Sequence, residues 1–231
     1  MDFEKIAGEY GINIDGAIFK SFAEFLYAEN QKMDLTAAKT LDEIYIKHIL
    51  DSLSPLKVWD IKENAKVIDI GCGAGFPGIP MRLARPDIRL TCLDSLNKRI
   101  DFIKDFASAN NLDNIEPLSA RAEELALNAD YRESYDIAVS RAVAPLNKLC
   151  ELALPFVKTG GVFISLKGVK AEEEVTEAEN AVRILGGKYI CVKNCGFDGD
   201  MSGHSAVIIE KVSPTPENYP RRFSKILKKP L

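Results

Sequence analysis

The amino-acid sequence predicts an α/β fold, with a seven-stranded, mostly parallel sheet that closes in an antiparallel hairpin and a small helical N-terminal extension. Two observations predict it. From residue 65 onward, short apolar runs alternate with segments of helical periodicity, which is typical of parallel strands joined by right-handed crossover helices. The last two apolar runs have no helical pattern between them, so we expect them to pair as a hairpin at the sheet edge.

The first sixty residues are predicted to be helical. Apolar side chains recur at helical spacing from Phe19 to Leu26, and residues 41–56 have a broad apolar side. We therefore assign residues 1–60 to a helical extension and residues 61–231 to the main domain with its basic C-terminal tail. No run approaches the roughly 18 apolar residues of a membrane span, and the N-terminus contains acids where a signal peptide is basic. We expect a cytoplasmic protein without membrane contact.

The elements of the main domain follow in order. The predicted strands cover residues 65–70, 88–94, 115–119, 135–140, 162–167, 188–195 and 205–212. The predicted helices cover residues 77–84, 97–109, 121–127, 145–156 and 171–185. The strands are almost continuously apolar, as strands buried on both faces should be. The hairpin connection is GFDGDMSGH, residues 196–204.

The first strand runs directly into a glycine-rich loop, AKVIDIGCGAGFPGIP at residues 65–80. Gly71, Gly73 and Gly75 allow a tight turn and a close approach of the backbone to a ligand. A dinucleotide-binding loop would need Gly or Ala at position 76, where this chain has Phe76. The spacing D-x-G-x-G-x-G instead resembles the cofactor loop of Rossmann-like class I methyltransferases that depend on S-adenosyl-L-methionine.

Further candidate residues come directly after the other strands, because ligands of open α/β sheets lie beyond the carboxyl ends of the strands. Asp94 follows Gly75 by 19 residues, close to the roughly 20 expected for a carboxylate that binds a ribose diol. Ser95 is its neighbour. Ala122 and Glu123 are placed to flank the adenine, although Glu123 could equally be an acid that interacts with the dipole of its helix.

Arg141 follows the fourth strand and indicates a polar or anionic acceptor. We expect it to matter more for activity than for stability. The sequence SRAVAP at residues 140–145 lacks the Asn or Asp followed by prolines that is typical of enzymes methylating exocyclic amines. None of the five cysteines is placed as a cytosine-C5 nucleophile. His48 and Asp51 are either candidates near the acceptor or an ordinary polar pair on a helix surface.

The cysteines show no disulfide pattern, so we expect reduced thiols. With only two histidines in the chain, we expect no metal site.

Several segments together resemble the RsmG/GidB family of bacterial 16S ribosomal RNA guanine-N7 methyltransferases. They are GCGAGFPGIP, HILDSL, SARAEEL, SRAVAPLNKL, LKG and the ending TPENYPRRFSKILKKPL. The resemblance implies methyl transfer from S-adenosyl-L-methionine to N7 of a guanine, with 16S RNA or the 30S subunit as partner and no stable protein partner. It also implies cofactor contacts at Gly71, Phe76, Ala122, Glu123 and Arg141. Cys72 departs from the Ser or Thr of many relatives. N7 has a free lone pair, so alignment suffices and no catalytic base is required.

The net charge is −4, but the C-terminal tail is basic and contains no acid between Arg221 and Leu231. We predict that Arg221, Arg222 and Lys225 contact RNA phosphate. The alternative is a merely solvated tail, although Tyr219 and Phe223 among the cations indicate a docked segment.

Two other functions fit parts of the same pattern. A methyltransferase acting on a small molecule or a protein could have this fold, and a noncatalytic nucleic-acid-binding protein could retain it. Cofactor binding would distinguish the noncatalytic protein from both methyltransferases. Methyl transfer to ribosomal RNA would distinguish the ribosomal RNA enzyme from the other methyltransferase.

Overall fold

The computed structural model describes residues 3–197 and 203–231. Its strands are β1 (Lys66–Ile70), β2 (Arg89–Asp94), β3 (Ile115–Ser119), β4 (Tyr135–Arg141), β5 (Val157–Lys167), β6 (Gly187–Asn194) and β7 (Ser205–Lys211). They form one sheet in the order β3-β2-β1-β4-β5-β7-β6. The first five strands pair in parallel, and β7 pairs antiparallel with both β5 and β6. The predicted fold class is confirmed. The middle of the predicted hairpin connection, residues 198–202, lies outside the described residues.

Helices cover both faces of the sheet. They are α1 (Phe3–Glu9), α2 (Gly16–Met33), α3 (Leu41–Glu43), α4 (Ser54–Val58), α5 (Gly78–Ala84), α6 (Asn97–Ala109), α7 (Ala122–Leu125), α8 (Leu146–Ala153), α9 (Ala171–Ile184) and α10 (Phe223–Lys228). A π-helical segment, Ile44–Leu50, continues α3, and a 3₁₀ turn, Leu154–Phe156, follows α8. No helix within the described ranges is long and apolar enough to cross a membrane.

Two apolar cores lie on opposite faces of the sheet. Adjacent residues of β1 divide between them, because side chains alternate across a strand: Val67 belongs to the core under the N-terminal helices, and Ile68 to the core under α8 and α9. Both side chains are fully buried. Each such burial stabilises the fold by about 1.5–3 kcal/mol relative to exposure.

The N-terminal extension packs on the main domain through aromatic side chains. Phe22 lies 4.9 Å from Phe106 and 5.5 Å from Phe76, measured between ring centroids. Thr40 caps α3 by accepting a hydrogen bond from the backbone of Glu43. The extension therefore reaches the glycine loop, and the π-helical segment that follows α3 is held beside it.

The C-terminal tail is docked, as the interleaved aromatic residues predicted. Tyr219 and Phe223 pack against the core under α8 and α9, and Ile226 is fully buried. The helix α10 and the π-helical turn were not predicted. π-helical turns occur frequently at functional sites, and this one contains His48 and leads directly into Asp51.

Candidate active site

The glycine loop has a left-handed backbone at three positions, with φ of +68° at Gly71, +56° at Gly73 and +89° at Gly75. Other residues adopt this region with strain. A Cβ atom at Gly71 would lie 2.8 Å from Val143, and one at Gly75 would lie 2.5 Å from Ile79. At Gly73, by contrast, a Cβ atom would meet no atom within 4 Å. The loop is thus closely packed at its ends and open in its centre.

Asp94 holds the loop in place. Its Oδ2 accepts hydrogen bonds from the Gly73 amide at 3.0 Å and from Arg99 at 3.1 Å, and its Oδ1 accepts one from the Leu96 amide at 2.9 Å. The side chain is almost completely buried. A carboxylate with remaining lone pairs therefore stands directly beside the open centre of the loop.

Asp94 and Arg99 line a cavity of about 260 Å³ at the carboxyl ends of the strands. We call it the cofactor cavity; its lining includes Gly71, Asp94, Ser95, Arg121, Ala122, Glu123, Ala142, Val143 and Phe223. The open loop, the buried carboxylate and the adjoining cavity fit the glycine-loop cofactor that the sequence predicts. Glu123 is buried and accepts a hydrogen bond from Arg121 at 2.6 Å, so its carboxylate has a fixed partner.

Three predicted cofactor contacts, Gly73, Phe76 and Arg141, lie outside this lining. The Phe76 ring is buried and stacks on His48, with 5.1 Å between centroids. Arg141 lies over the same ring at 4.8 Å. Phe76 and Arg141 belong to a neighbouring cluster.

Asp69, at the end of β1, is fully buried. Its Oδ2 accepts a hydrogen bond from the Gly78 amide at 2.7 Å. Within residues 3–197 and 203–231, no hydrogen-bond partner reaches its Oδ1. Burial raises the pKa of this carboxyl to about 7, although the Gly78 amide and Arg141 favour its charged form. In the folded state, Asp69 therefore retains its proton at pH values where an ordinary aspartate is already ionised.

This raised pKa predicts a pH dependence of stability. The unfolded chain releases the proton near pH 4, and the folded protein near pH 7. The stabilising contribution is complete below pH 4 and is lost as the pH rises to 7. Between pH 5 and pH 7, we expect the free energy of unfolding to fall by about 2 kcal/mol more in the wild type than in Asp69→Asn. Urea unfolding measures both; parallel losses in the two proteins would contradict the raised pKa.

A second cluster is centred on Arg141, at the end of β4. Its guanidinium donates hydrogen bonds to Asp51 Oδ2 at 2.8 Å and to the backbone carbonyls of Lys47 and His48. Asp51 is only 4% exposed. The interpretation of His48 and Asp51 as a helix-surface pair is therefore wrong. The expectation that Arg141 has little effect on stability is also revised, because its removal leaves a buried carboxylate short of its cationic partner.

The hydrogen bonds of His48 determine its tautomer. Arg141 Nη2 lies 3.0 Å from His48 Nδ1, and arginine can only donate. Nδ1 is therefore an acceptor, and Nε2 donates its proton to Thr36 Oγ1 at 2.8 Å. Burial and the neighbouring Arg141 lower the pKa of His48 to about 4. At neutral pH, the imidazole is uncharged and its lone pair is occupied, so it is a positioning group and has no capacity as a base.

His204, which directly precedes β7, completes the cluster. Its Nδ1 lies 2.8 Å from Asp51 Oδ1, so Asp51 is held between Arg141 and His204. We call the adjoining space, of about 590 Å³, the acceptor cavity; its lining includes His48, Asp51, Arg141, Ala142, Val143, Lys167 and His204.

The acceptor cavity shares Ala142 and Val143 with the cofactor cavity. Ala142 has φ of +56°, a strained conformation for a residue with a Cβ atom. Lys167 donates hydrogen bonds to the Ala144 carbonyl and to Glu174, both at 2.7 Å. Residues 142–145 thus form a restrained partition between two cavities.

The basic tail differs from the prediction at one position. Arg221 donates three side-chain hydrogen bonds to Glu151, at 2.6–3.1 Å, and Glu151 is fully buried. Arg221 is therefore occupied within the fold and is removed from the set of phosphate ligands. Arg222 and Lys225 are exposed and remain candidates. Sequence reasoning also missed His204, for which no local motif gave a signal.

Comparison with known proteins agrees with this geometry. A family model described as rRNA small subunit methyltransferase G (GidB) matches residues 16–200. The chain is 42% identical to the ribosomal RNA small subunit methyltransferase G of Alkaliphilus metalliredigens, over 96% of this chain and 95% of that protein. It is 44% identical to the protein of the same name from Thermoanaerobacter sp., over 92% and 89%.

Among solved structures, a SAM-dependent methyltransferase from Aquifex aeolicus matches 80% of this chain and 98% of its own, with a TM-score of 0.56 and 17% identity. TYW2 from M. jannaschii, solved in complex with AdoMet, matches 65% and 71%, with a TM-score of 0.52 and 17% identity. At this identity, the likeness establishes the fold.

Proposed function

We propose that this chain, which belongs to the GidB family of small-subunit ribosomal RNA methyltransferases, transfers a methyl group from S-adenosyl-L-methionine to N7 of a guanine in 16S ribosomal RNA. The main supporting observation is the pairing of two cavities across Ala142 and Val143. One contains an open glycine loop and a buried carboxylate. The other is lined by both apolar and charged side chains, and one of its two histidines, His48, cannot act as a base. This arrangement suits an acceptor atom that has no proton to lose.

In this proposal, the glycine loop and the residues of the cofactor cavity bind and orient the cofactor. Gly71 and Gly73 give the backbone room, Asp94 accepts hydrogen bonds from the ribose hydroxyls, and Ser95, Ala122 and Glu123 surround the adenine. Bound S-adenosyl-L-methionine supplies an electrophilic methyl group. Rigid placement accounts for much of the expected rate, because a preorganised approach removes the entropic cost of alignment.

The residues of the acceptor cavity position the guanine and accommodate charge. Methylation at N7 makes the purine ring cationic, and the Asp51 carboxylate is a fixed negative group in the lining of this cavity. Arg141 holds Asp51 and packs on Phe76, so its role is to fix the geometry of the acceptor cavity. Lys167 holds the partition between the cavities.

The tail supplies a surface for the RNA. Arg222, Lys225, Lys228 and Lys229 are exposed on or beside α10, and such cations bind phosphate without base specificity. We propose 16S RNA, naked or within the 30S subunit, as the partner and the cytoplasm as the place of action.

The test combines methyl transfer with one matched pair of variants. Purified protein and S-adenosyl-L-methionine are incubated with naked 16S RNA and with 30S subunits from a strain lacking this protein, and mass spectrometry locates the methylated guanine. We expect Gly73→Val to lose cofactor affinity by at least about tenfold and methyl transfer with it, because the side chain fills the open centre of the loop.

Gly160→Val is the control. Gly160 also has a left-handed φ, +85°, and a Cβ atom added there would also meet no atom within 4 Å. However, Gly160 is an exposed residue of β5, whereas the Gly73 amide is bonded to Asp94 of the cofactor cavity. Both variants incur the same kind of backbone strain, of about 1–2 kcal/mol. Equal cofactor affinity in the two variants would refute the assignment of the loop, and absence of RNA methylation by the wild type would refute the proposed function.

A further inference from the structure

The wall of the cofactor cavity includes a residue from the C-terminal tail. Phe223, the first residue of α10, lines the cavity together with Asp94, Ser95 and Glu123. Its side chain is only partly buried, although it packs against the core under α8 and α9. An aromatic ring from the end of the chain thus faces the same space as the strand-end residues.

The position of Phe223 is fixed by buried interactions on both sides of it. Before it, the backbone and side chain of Arg221 donate to the fully buried Glu151 of α8. Arg132 donates to the Thr215 carbonyl at 2.8 Å and to the Tyr219 carbonyl at 2.9 Å. After it, Ile226 is fully buried. The ring is therefore presented by an anchored segment.

Phe223 also contacts a charged group of the cavity wall. The Arg121 guanidinium lies 4.2 Å from the centroid of the Phe223 ring, a cation–π distance. The same guanidinium is bonded to Glu123 at 2.6 Å. A flat ring, a guanidinium and a carboxylate thus follow one another along the wall. A planar heterocycle with an exocyclic amine can stack on the Phe223 ring and donate a hydrogen bond to the Glu123 carboxylate.

We propose that the C-terminal tail completes the cofactor site, with Phe223, supported by Arg121, forming the wall against which the adenine ring of S-adenosyl-L-methionine lies. The inference rests on the proposed function for the identity of the ligand. It assigns to the tail a second role beside that of its exposed cations. Phe223 is accordingly a binding residue of the cofactor, contributed from outside the strand-end loops.

Calorimetry with S-adenosylhomocysteine tests this assignment independently of activity. Loss of base stacking on an aromatic side chain typically weakens binding by about 5- to 150-fold. We expect Phe223→Ala and Phe223→Leu each to weaken binding at least about fivefold. Phe223→Leu retains apolar packing of the tail but removes the ring. Leu227→Ala is the control, because Leu227 lies on the same helix and is 46% exposed; its affinity should equal that of the wild type.

The outcomes separate the two proposals. If the wild type binds and Phe223→Leu binds equally well, the wall assignment is overturned while the proposed function stands. If Leu227→Ala weakens binding as much as Phe223→Leu, the effect comes from the helix as a whole and the assignment also fails. If the wild type shows no binding, the proposed function fails and this inference with it.

Discussion

Arg141→Ala should lose about 100-fold in methyl transfer and about 3 kcal/mol in the free energy of unfolding. The activity loss follows from displacement of the side chains that line the acceptor cavity, since small displacements in an active site can lower the rate by about 100-fold. The stability loss follows from the ion pair with Asp51, because breaking a buried pair costs about 3–5 kcal/mol. Asp51 retains His204 as a partner, which places the expected cost at the lower end. Single-turnover kinetics and urea unfolding measure the two effects.

A second substitution separates the structural role from the positioning role. In the Arg141→Ala background, Asp51→Asn removes the carboxylate that has lost its guanidinium and should recover most of the lost stability, while activity should stay below that of Asp51→Asn alone. Arg85→Ala is the control, because Arg85 pairs with Asp87 at a site where both side chains are about 30% exposed. Its cost should stay below about 1 kcal/mol. If the double variant is as active as Asp51→Asn alone, Arg141 has no positioning role apart from holding Asp51.

The fold was largely predictable because its determinants are local in the sequence. Apolar runs such as residues 88–94 end in polar residues, and helical periodicity separates them, so strand order along the chain and the terminal hairpin follow from pattern and handedness. The cofactor cavity was predictable for the same reason. Gly71 and Asp94 lie at strand ends, and parallel strands bring their carboxyl ends to one edge.

The acceptor cluster was only partly predictable because its contacts are distant in sequence. Arg141 was a candidate from its strand-end position. Its pairing with Asp51, 90 residues away, and the contact of Asp51 with His204, 153 residues away, depend on how the N-terminal helices dock. That docking depends on the packing of aromatic rings such as Phe22 against Phe106, and periodicity identifies an apolar face without identifying its partner.

In the C-terminal tail, the sequence also does not show which basic residues are bound within the fold and which are free to contact RNA. Arg221 and Arg222 are neighbours with the same charge, and sequence alone gives no reason to separate them. In the structure, one is paired with Glu151 and the other is exposed. The difference depends on Glu151, a carboxylate on the largely buried helix α8, whose burial requires a cationic partner. A structural arginine and an arginine available to RNA therefore lie side by side.

Arg221→Ala should destabilise the protein by about 3–5 kcal/mol, because it leaves the fully buried Glu151 without its guanidinium. The double substitution Arg222→Gln with Lys225→Gln should change stability by less than about 1 kcal/mol, since both side chains are exposed.

RNA binding should depend on Arg222 and Lys225 and not on Arg221. Each phosphate contact contributes about 0.7–0.9 to the slope of log affinity against log salt concentration. We expect the double variant to flatten that slope by about 1.5, and Arg221→Ala to leave it unchanged under conditions where that variant is folded. A flattened slope with unaltered stability in Arg221→Ala would show that this arginine binds phosphate and that its pairing with Glu151 is dispensable.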